Sequence, residues 1–435
     1  MEPESVGLLR EGDAAEGVVI PELQSEAHVT DPTGVSTSLF PEGYTERRAL
    51  YRAFVEEQVI PAEGALNRED DASLEVIASL QERARAAGLW APHMPAEAGG
   101  TGEGFLYYAC MNEAIGRSYW AQLIFGCQAP DAGNAEILHL LATPEQKEAF
   151  LEPLIAGRAR SFFSMTEPDV AGSDPRLLET RAVVDGDEWV IDGLKWFSTG
   201  ADGASFGIVF AITDPDADTY KRGTMILVPA DTPGLEVVRR ISVMGHEGRA
   251  WNTHCEVRYT GVRVPVANTL GGRGDAFKIA QQRLGPGRIH HVMRWLGQMQ
   301  RAFDLMCSYA LEREAFGGPL ADKQTVQNWI ADSAAGIQAC RLLTMDTAKK
   351  IDEGSEARVE VSLLKFFAAG VLNDVIDRSI QVHGARGLTD ETPLAQMSLH
   401  ARGGRIYDGP DEVHRMVVAR RVLKGYAAGD PWQFD

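Results

Sequence analysis

Cysteine is scarce in this sequence, with 5 residues among 435, and the cysteines are widely scattered. Their number is odd and none of them belongs to a CxxC pair, which argues against a disulfide framework and against a cysteine-ligated zinc site. Cysteine usage of this kind is typical of proteins from a reducing compartment. We therefore expect a cytoplasmic protein whose thiols stay reduced.

Long apolar runs are also absent, because no stretch reaches the roughly 18 residues that a membrane-spanning helix needs. The first residues are acidic and carry neither the basic region of a secretory signal nor the arginine-rich pattern of a transit peptide. Lys and Arg total 42 against 62 Asp and Glu, which gives a net charge of −20. This charge disfavours nucleic acids and anionic membranes as partners, although a few local basic groups still suffice to bind an anionic small ligand.

Several common catalytic motifs are missing. The sequence contains no GxGxxG after a strand, no GxxxxGKS/T, no GxSxG and no HExxH, so the enzyme classes that these motifs mark have no support. The adjacent His290 and His291 point to different faces of a helix and do not make a metal pair, so a structural or substrate-lining role is the better interpretation. We expect no metal site.

Hydrophobic periodicity divides the chain into a tail and three blocks. Residues 1–41 are rich in Glu, Gly, Ser and Pro without periodicity and are expected to form a flexible tail. Apolar spacings of three and four residues predict helical domains over 42–159 and 272–430. Short β-rich runs with turn residues between them predict a β domain over 160–271. The predicted fold class is α+β multidomain: an N-terminal helical domain, a central antiparallel β-barrel or sandwich, and a C-terminal helical bundle.

Arg313 follows an apolar helical face in the predicted C-terminal helical domain, which is an unusual position for a charged side chain. That face carries Trp295, Met299, Phe303, Met306 and Ala310. The guanidinium of Arg313 is expected against the same apolar side, before Gly317-Gly318-Pro319 stop the helix. An arginine there either reaches an anion or forms a buried structural ion pair. A second predicted face, within 358–382, carries Leu364, Phe367, Val371 and Val375.

Two further segments combine residue types that carry chemistry. FFSMTEPDVAGSDPR at 162–176 collects hydroxyl and small side chains, which allow a backbone to approach a flat, heteroatom-rich ligand. An ordinary turn is the alternative for this segment. QVHGARGL at 381–388 and GRIYDGPDEVH at 404–414 each follow a helix, and the second places Asp408 in a turn between helices. Asp-Gly is a common turn pair, so a purely structural turn is the alternative here too.

Together these segments resemble the acyl-CoA dehydrogenases, the flavin enzymes that desaturate acyl-CoA thioesters. FSMTEPDVAGSD resembles the family signature TEP-x-AGSD, LEREAFGGPLADKQTVQ resembles its R-x-x-F-G…Q segment, and QVHGARG its Q-x-x-G-x-x-G. IYDGPDE occupies the place of the family's tyrosine-glutamate-glycine catalytic turn. The resemblance implies a helical domain, a β-barrel and a four-helix bundle, which is the order that the periodicity predicts.

The resemblance implies FAD as the cofactor, held from two regions of the chain. Phe163, Met165 and Thr166 would line the flavin ring, and Phe197 and Thr199 would cover its other side. The pyrophosphate and adenosine would be held, partly from a neighbouring subunit, by Arg313, Phe316, Gln324, Gln381 and Gly384. A guanidinium group is a natural partner for a pyrophosphate.

The resemblance also implies that Asp408 removes the alpha proton of an acyl-CoA and that the beta hydride passes to the flavin, giving 2-enoyl-CoA. Most of the family has Glu at this position, and Asp is one methylene shorter. Some members carry the base on a helix directly before an arginine, but the matching residue here is Gly287, before Arg288, and glycine cannot act as a base. Ser173 would reach the pyrophosphate of FAD or the nearby acyl chain, and the residues that would contact the acyl-CoA are Ser173, Arg288, Tyr407 and Gly409.

Two departures from the family pattern concern the flavin loop and the substrate. Asp169-Val170 separate TEP from AGSD where the common form has one residue, so the loop over the flavin is expected to differ. LGPGRIHH and DGPDEVH resemble a branch that acts on 4-hydroxy- or 4-phospho-acyl-CoA and in some members is fused to a kinase-like domain.

Three function classes stay open at this point. The first is a dehydrogenase that passes electrons to an electron-transfer flavoprotein. The second is a flavin monooxygenase or oxidase on the same fold, and the third is a non-catalytic flavin-binding paralogue. Asp408 favours the first, because a base has no required role in oxygenating an aromatic substrate. By the same resemblance we expect a homodimer or homotetramer.

Overall fold

The computed structural model describes residues 40–431, so the predicted tail lies outside the described residues except for its last two. Up to Ile155 the described chain contains only helices and their connections. The α-helices are α1 Tyr44–Phe54, α2 Glu63–Leu66, α3 Asp71–Ala86, α4 Phe105–Ile115, α5 Ala121–Ile124, α6 Asp131–Leu141, α7 Pro144–Gln146 and α8 Glu152–Ile155. Thr143 starts α7 with a capping box, in which its hydroxyl accepts from Gln146 N and its own N–H donates to the Gln146 side chain.

The strands that follow form one sheet. They are β1 Ser161–Ser164, β2 Arg181–Asp185, β3 Glu188–Thr199, β4 Phe206–Ile212, β5 Gly223–Pro229, β6 Leu235–Arg240, β7 His254–Pro265 and β8 Thr269–Leu270. The strand order is β6-β7-β3-β2-β4-β5-β8, and β1 pairs with β4. The pairing is antiparallel as predicted, except that β1 runs parallel to β4 and a single residue pair joins β2 and β4 in parallel.

Strand β4 is buried on both faces because two separate apolar clusters cover it. Phe206, Ile208 and Phe210 pack with residues of α6, α8 and the start of α9. Val209 and Ala211 point to the opposite face and pack with residues of β3 and β7. The alternation of side chains along a strand thus places the sheet between the helices and a second core of its own.

The remaining helices form the C-terminal bundle. They are α9 Ala276–Glu312, α10 Gln324–Asp352, α11 Arg358–His383, α12 Leu394–Gly403 and α13 Asp411–Ala427. Helix α11 packs against all four of the others, so its buried residues lie all around it. The predicted face of α11 is therefore only partly right: Leu364 and Val375 are buried, but Phe367 is 37% exposed.

The architecture agrees with the predicted fold class: N-terminal helices, a central sheet and C-terminal helices. Within residues 40–431, no helix combines the length and the apolarity that crossing a bilayer requires.

Candidate active site

Asp408, the predicted base, lies in the turn between α12 and α13. Its φ is 53° and that of Gly409 is 104°, a left-handed conformation that Asp and Gly adopt more readily than most residues. Arg288 Nε donates to the Asp408 carbonyl oxygen over 2.8 Å, and His414 Nε2 donates to the same oxygen over 3.2 Å. Lys365 Nζ donates to the Gly409 carbonyl oxygen over 2.7 Å. Three basic side chains from α9, α13 and α11 therefore fix this turn.

The Asp408 carboxylate faces helix α9. His291 Nε2 lies 3.0 Å from Asp408 Oδ2, and the two side chains are 15% and 23% exposed. Burial by itself raises the pKa of Asp408, but the hydrogen bond from His291 and the nearby charges, including Arg283 and Arg288, lower it well below its ordinary value. A Cβ built on Gly287 would stand 3.6 Å from Asp408 Oδ2, so glycine keeps this side of the carboxylate open.

Aromatic rings surround the same carboxylate. The Tyr407 hydroxyl accepts a hydrogen bond from Trp295 Nε1 over 3.2 Å. The His291 ring centroid lies 4.5 Å from that of Tyr407 and 5.9 Å from that of Trp295. The candidate base is therefore a charged oxygen pair beside flat apolar surfaces, an environment suited to acid–base chemistry on a partly apolar substrate.

The predicted flavin-lining segments lie side by side, because the ends of β1 and β3 meet. Trp196 N donates to the Thr166 carbonyl oxygen over 2.7 Å, and the Thr166 hydroxyl donates to the Trp196 carbonyl oxygen. The hydroxyls of Ser164 and Ser198 are 2.9 Å apart. The structure thus brings the segment of Phe163, Met165 and Thr166 next to the segment of Phe197 and Thr199, while their contact with a flavin stays a prediction.

The side chains at this junction have the properties of a flat-ligand site. Phe163 is half-buried, and the Arg283 guanidinium carbon lies 4.1 Å from its ring centroid. Phe197 is 42% exposed at a φ of 56°. The buried indole nitrogen of Trp196 has no hydrogen-bond partner among residues 40–431. An available N–H beside exposed aromatic surface fits the heteroatom edge and flat ring of a flavin.

A buried ion pair under this junction was not predicted from the sequence. Lys195 Nζ lies 2.8 Å from Glu167 Oε1 and donates to the Met165 carbonyl oxygen over 2.9 Å. Glu167 also accepts from the N–H groups of Glu179 and Thr180. Burial lowers the pKa of Lys195 to about 8, against the opposing effect of Glu167. This ion pair connects β3 to the TEP segment. The TEP motif marked Glu167 in the sequence, but nothing in the motif identified Lys195, which lies 28 residues further along the chain.

The second predicted set lies at one end of the bundle and is exposed. Met306, Ala310, Val326 and Val382 pack in one cluster, which joins the end of α9, the start of α10 and the end of α11. Arg313, Phe316, Gln324, Gln381 and Gly384 lie on these segments with exposed side chains or backbone. Within the described residues, no hydrogen bond, ion pair or ring contact joins this set to the β1–β3 junction.

The prediction that Arg313 lies against the apolar side of its helix is wrong. Helix α9 ends at Glu312, and Arg313 is its exposed C-cap in an extended conformation. The chain then turns tightly, with Ala315 N donating to the Gly318 carbonyl oxygen over 2.9 Å. Phe316 sits in this turn at a φ of 51° and is 99% exposed. Helix α9 therefore ends before the glycines, where the backbone of residues 315–318 forms its own hydrogen bond.

Ser173 is exposed in the loop before β2. Next to this loop lies a small concavity, whose lining includes Arg176, Tyr220, Arg222 and Phe277. Within the described part of the chain, the buried Nε of Arg222 there has no hydrogen-bond partner. The concavity, which is lined by basic and aromatic side chains, therefore begins at Pro175, two residues after Ser173. Ser173 and Asp408 are not in contact within the described residues. Among residues 40–431, no group of three His, Cys, Asp or Glu side chains has a metal-binding arrangement.

Comparison with models of known protein families gives three matches in chain order. The N-terminal domain of the acyl-CoA dehydrogenases matches residues 42–158, their middle domain matches 162–262, and their C-terminal domain matches 274–423. Together these matches span most of the chain.

Curated relatives carry the same family name. The chain is 46% identical over 356 residues to the probable acyl-CoA dehydrogenase FadE2 of Mycobacterium tuberculosis, covering 80% of this chain and 86% of that protein. It is 43% identical over 353 residues to acyl-CoA dehydrogenase family member 11 of Gallus gallus, covering 80% of this chain. That match covers 45% of the longer chicken protein, so this chain spans about half the length of such relatives.

Solved structures agree with the sequence relatives. A chain from Mycobacterium abscessus, classed with the acyl-CoA dehydrogenases, is 41% identical with a TM-score of 0.84, covering 89% of this chain and 99% of that one. Butyryl-CoA dehydrogenase from Megasphaera elsdenii is 28% identical with a TM-score of 0.78, covering 88% of this chain and 99% of that one. The chain therefore belongs to the acyl-CoA dehydrogenase family and is an FAD-dependent oxidoreductase that acts on acyl-CoA.

Proposed function

We propose that this chain oxidises an acyl-CoA thioester to the 2-enoyl-CoA, with Asp408 as the base that removes the alpha proton. The observation that carries the proposal is the Asp408 carboxylate, which faces α9 from a turn whose backbone carbonyl oxygens accept from Arg288, Lys365 and His414. The lowered pKa keeps Asp408 ionised throughout the neutral range, which is the form that accepts a proton, and it also makes this carboxylate a weaker base than one with a pKa near neutrality. When bound, FAD supplies the oxidant that takes the beta hydrogen as hydride.

The protein's own groups would perform the remaining tasks. The half-buried faces of Phe163 and Met165, with Thr166, would hold the flavin ring, and Phe197 and Thr199 would cover its other side. The free N–H of Trp196 would donate to a heteroatom of that ring. The aromatic surfaces next to Asp408 would exclude water from the reacting carbons, which strengthens electrostatic effects within the site.

The substrate's charged portion needs basic contacts outside the turn. Ser173, Arg288, Tyr407 and Gly409 are the proposed contacts of the acyl-CoA. The concavity beside Ser173 supports this assignment, because Arg176 and Arg222 provide guanidinium groups and Tyr220 and Phe277 provide rings. Phosphate groups pair well with guanidinium groups, and an adenine stacks well on rings.

Assembly and electron transfer form the remaining part of the proposal. Arg313, Phe316, Gln324, Gln381 and Gly384 would hold the pyrophosphate and adenosine of FAD, partly across a boundary between copies of the chain in a homodimer or homotetramer. The 99% exposure of Phe316 supports this, because an apolar side chain of that size gains from burial by a partner. An electron-transfer flavoprotein is the proposed electron acceptor, and a cytoplasmic location the proposed compartment.

Anaerobic mixing of the flavin-loaded enzyme with acyl-CoA thioesters tests the base. Asp408→Asn should keep fold and flavin while flavin bleaching slows about 10²–10⁴-fold, because the amide cannot accept the proton. Asp408→Glu should stay active. Glu412→Gln removes an exposed carboxylate of the same region and serves as the control that should leave the rate unchanged. Bleaching of Asp408→Asn at the wild-type rate would make Asp408 a turn residue only.

A further inference from the structure

His291 contacts the proposed base but has no part in the function proposed above. It lies on α9 one helical turn after Gly287, on the face that looks at the Asp408 turn. Its Nε2 is 3.0 Å from Asp408 Oδ2, and its ring centroid lies 4.5 Å from that of Tyr407 and 5.9 Å from that of Trp295. The Tyr407 and Trp295 rings also contact each other, with centroids 6.1 Å apart, so the imidazole belongs to a cluster of three rings that restricts its orientation.

The proton in this hydrogen bond belongs to His291. An ionised carboxylate only accepts hydrogen bonds, so Nε2 must carry the hydrogen and donate it. The pKa of His291 is lowered to about 4, mainly by burial. The charges of Arg294 on its own helix and of Lys365 on α11 act in the same direction, while Asp408 opposes them. At neutral pH the pair is therefore a neutral imidazole that donates to a carboxylate.

Two positively charged side chains near Asp408 would draw its carboxylate away from a substrate if nothing else held it. Arg283 and Arg288 both lie close enough to lower its pKa. A guanidinium group readily binds both oxygens of a carboxylate at once, which would leave no oxygen for a proton. Arg288 Nε donates to the Asp408 carbonyl oxygen, and Arg283 donates to Asn134 and Pro130; a carboxylate that His291 did not hold would be open to both guanidinium groups.

We infer that His291 is a positioning residue: it holds Oδ2 of Asp408 so that Oδ1 stays free to take the alpha proton. This inference rests on the proposed function, in which Asp408 is the base. A fixed carboxylate matters more for Asp than for Glu, because the shorter side chain has fewer ways to reach the substrate from the same backbone position.

Two substitutions separate the hydrogen bond from the ring. His291→Phe keeps an aromatic ring beside Tyr407 and Trp295 but removes the donor, and His291→Gln places an amide N–H near the position of Nε2. We expect His291→Phe to lower kcat about 10- to 100-fold with KM little changed, since a misplaced catalytic group costs about that much. His291→Gln should recover most of the rate.

The pH profile provides a readout that a merely structural role would not move. The hydrogen bond favours the charged form of Asp408, so its loss raises the pKa of Asp408. The acidic limb of the kcat profile should therefore move to higher pH in His291→Phe and stay in place in His291→Gln. His290→Gln is the matched control, because this neighbouring buried imidazole faces Glu136 at 3.2 Å and not Asp408; its profile should equal the wild type.

A double variant distinguishes the failure of this inference from the failure of the proposed function. If His291 acts through Asp408, adding His291→Phe to Asp408→Asn costs no further rate. A fully active Asp408→Asn enzyme would reject the base itself. An Asp408→Asn enzyme that is impaired, beside a His291→Phe enzyme with wild-type kcat and pH profile, would reject only the role of His291.

NMR of protein labelled with ¹⁵N-histidine tests the proton assignment without activity. The signals lost in His291→Phe identify His291, and they should report a neutral ring protonated at Nε2 at neutral pH. A charged ring, or a ring protonated only at Nδ1, would overturn the inference.

Discussion

The turn that carries Asp408 and the turn that carries Phe316 both connect helices of the same bundle, yet different groups hold them. The first is fixed from outside by Arg288, Lys365 and His414, which come from three helices. The second is closed largely by its own backbone, between Ala315 and Gly318, and leaves Phe316 in solvent. The Asp408 turn is thus held by side chains of the helices around it, whereas the Phe316 turn, which belongs to the predicted adenosine-binding set, leaves a large apolar side chain in solvent. The comparison predicts large effects for buried polar substitutions and small effects on stability for exposed ones.

The largest expected effect is at the buried ion pair beneath the β1–β3 junction. Lys195→Met leaves the Glu167 carboxylate buried without its cation, which should cost about 3–5 kcal/mol in the free energy of unfolding. The double variant Lys195→Met/Glu167→Gln should recover much of that loss, because no unpaired charge remains. Urea unfolding, with and without excess FAD, measures both. Equal stability of the single variant and the wild type would show that the pair is dispensable.

An intermediate effect is expected from pH. Burial lowers the pKa of His400 from 6.5 to about 4, with nearby His246 and His254 adding to the shift. The unfolded chain therefore binds more protons than the folded chain between these values, and the free energy of unfolding falls as pH drops from 6.5 to 4. One such histidine contributes about 1.4 kcal/mol per pH unit. His400→Gln should reduce the slope by about that amount; an unchanged slope would assign it to other groups.

The smallest effect on stability is expected at the exposed end of the bundle. Arg313→Ala should change the free energy of unfolding of the flavin-free chain by no more than about 0.5 kcal/mol, as is usual for exposed residues. Flavin retention and sedimentation should nevertheless fall, since a guanidinium that meets the pyrophosphate across subunits serves both. Arg402→Ala, at the exposed end of α12, is the control. Loss of flavin with unchanged sedimentation would argue against a shared site.

The elements of this fold could be predicted from local patterns, because each depends on neighbours in sequence. The predicted order of helices, sheet and helices is the order that the structure has, and the helical face predicted within 358–382 lies on α11. The same reasoning was wrong at Arg313. The periodicity predicts a helix that continues to the glycines at 317 and 318, but α9 ends at Glu312 and a hydrogen-bonded turn follows. That reasoning was wrong at Phe367 because a helix in the middle of a bundle has no single buried face.

By itself the sequence determined the order of helices, sheet and helices, the flat-ligand segments, and Asp408 as the candidate base in a turn. Only the tertiary structure decided what surrounds that base. His291 is 117 residues from Asp408 in the chain, and Lys195 is 28 residues from Glu167. The physical reason is that hydrogen bonds and ion pairs act over a few ångströms in space, whatever the separation along the chain. Periodicity fixes which face a side chain occupies, but only packing of the whole chain fixes which group it meets.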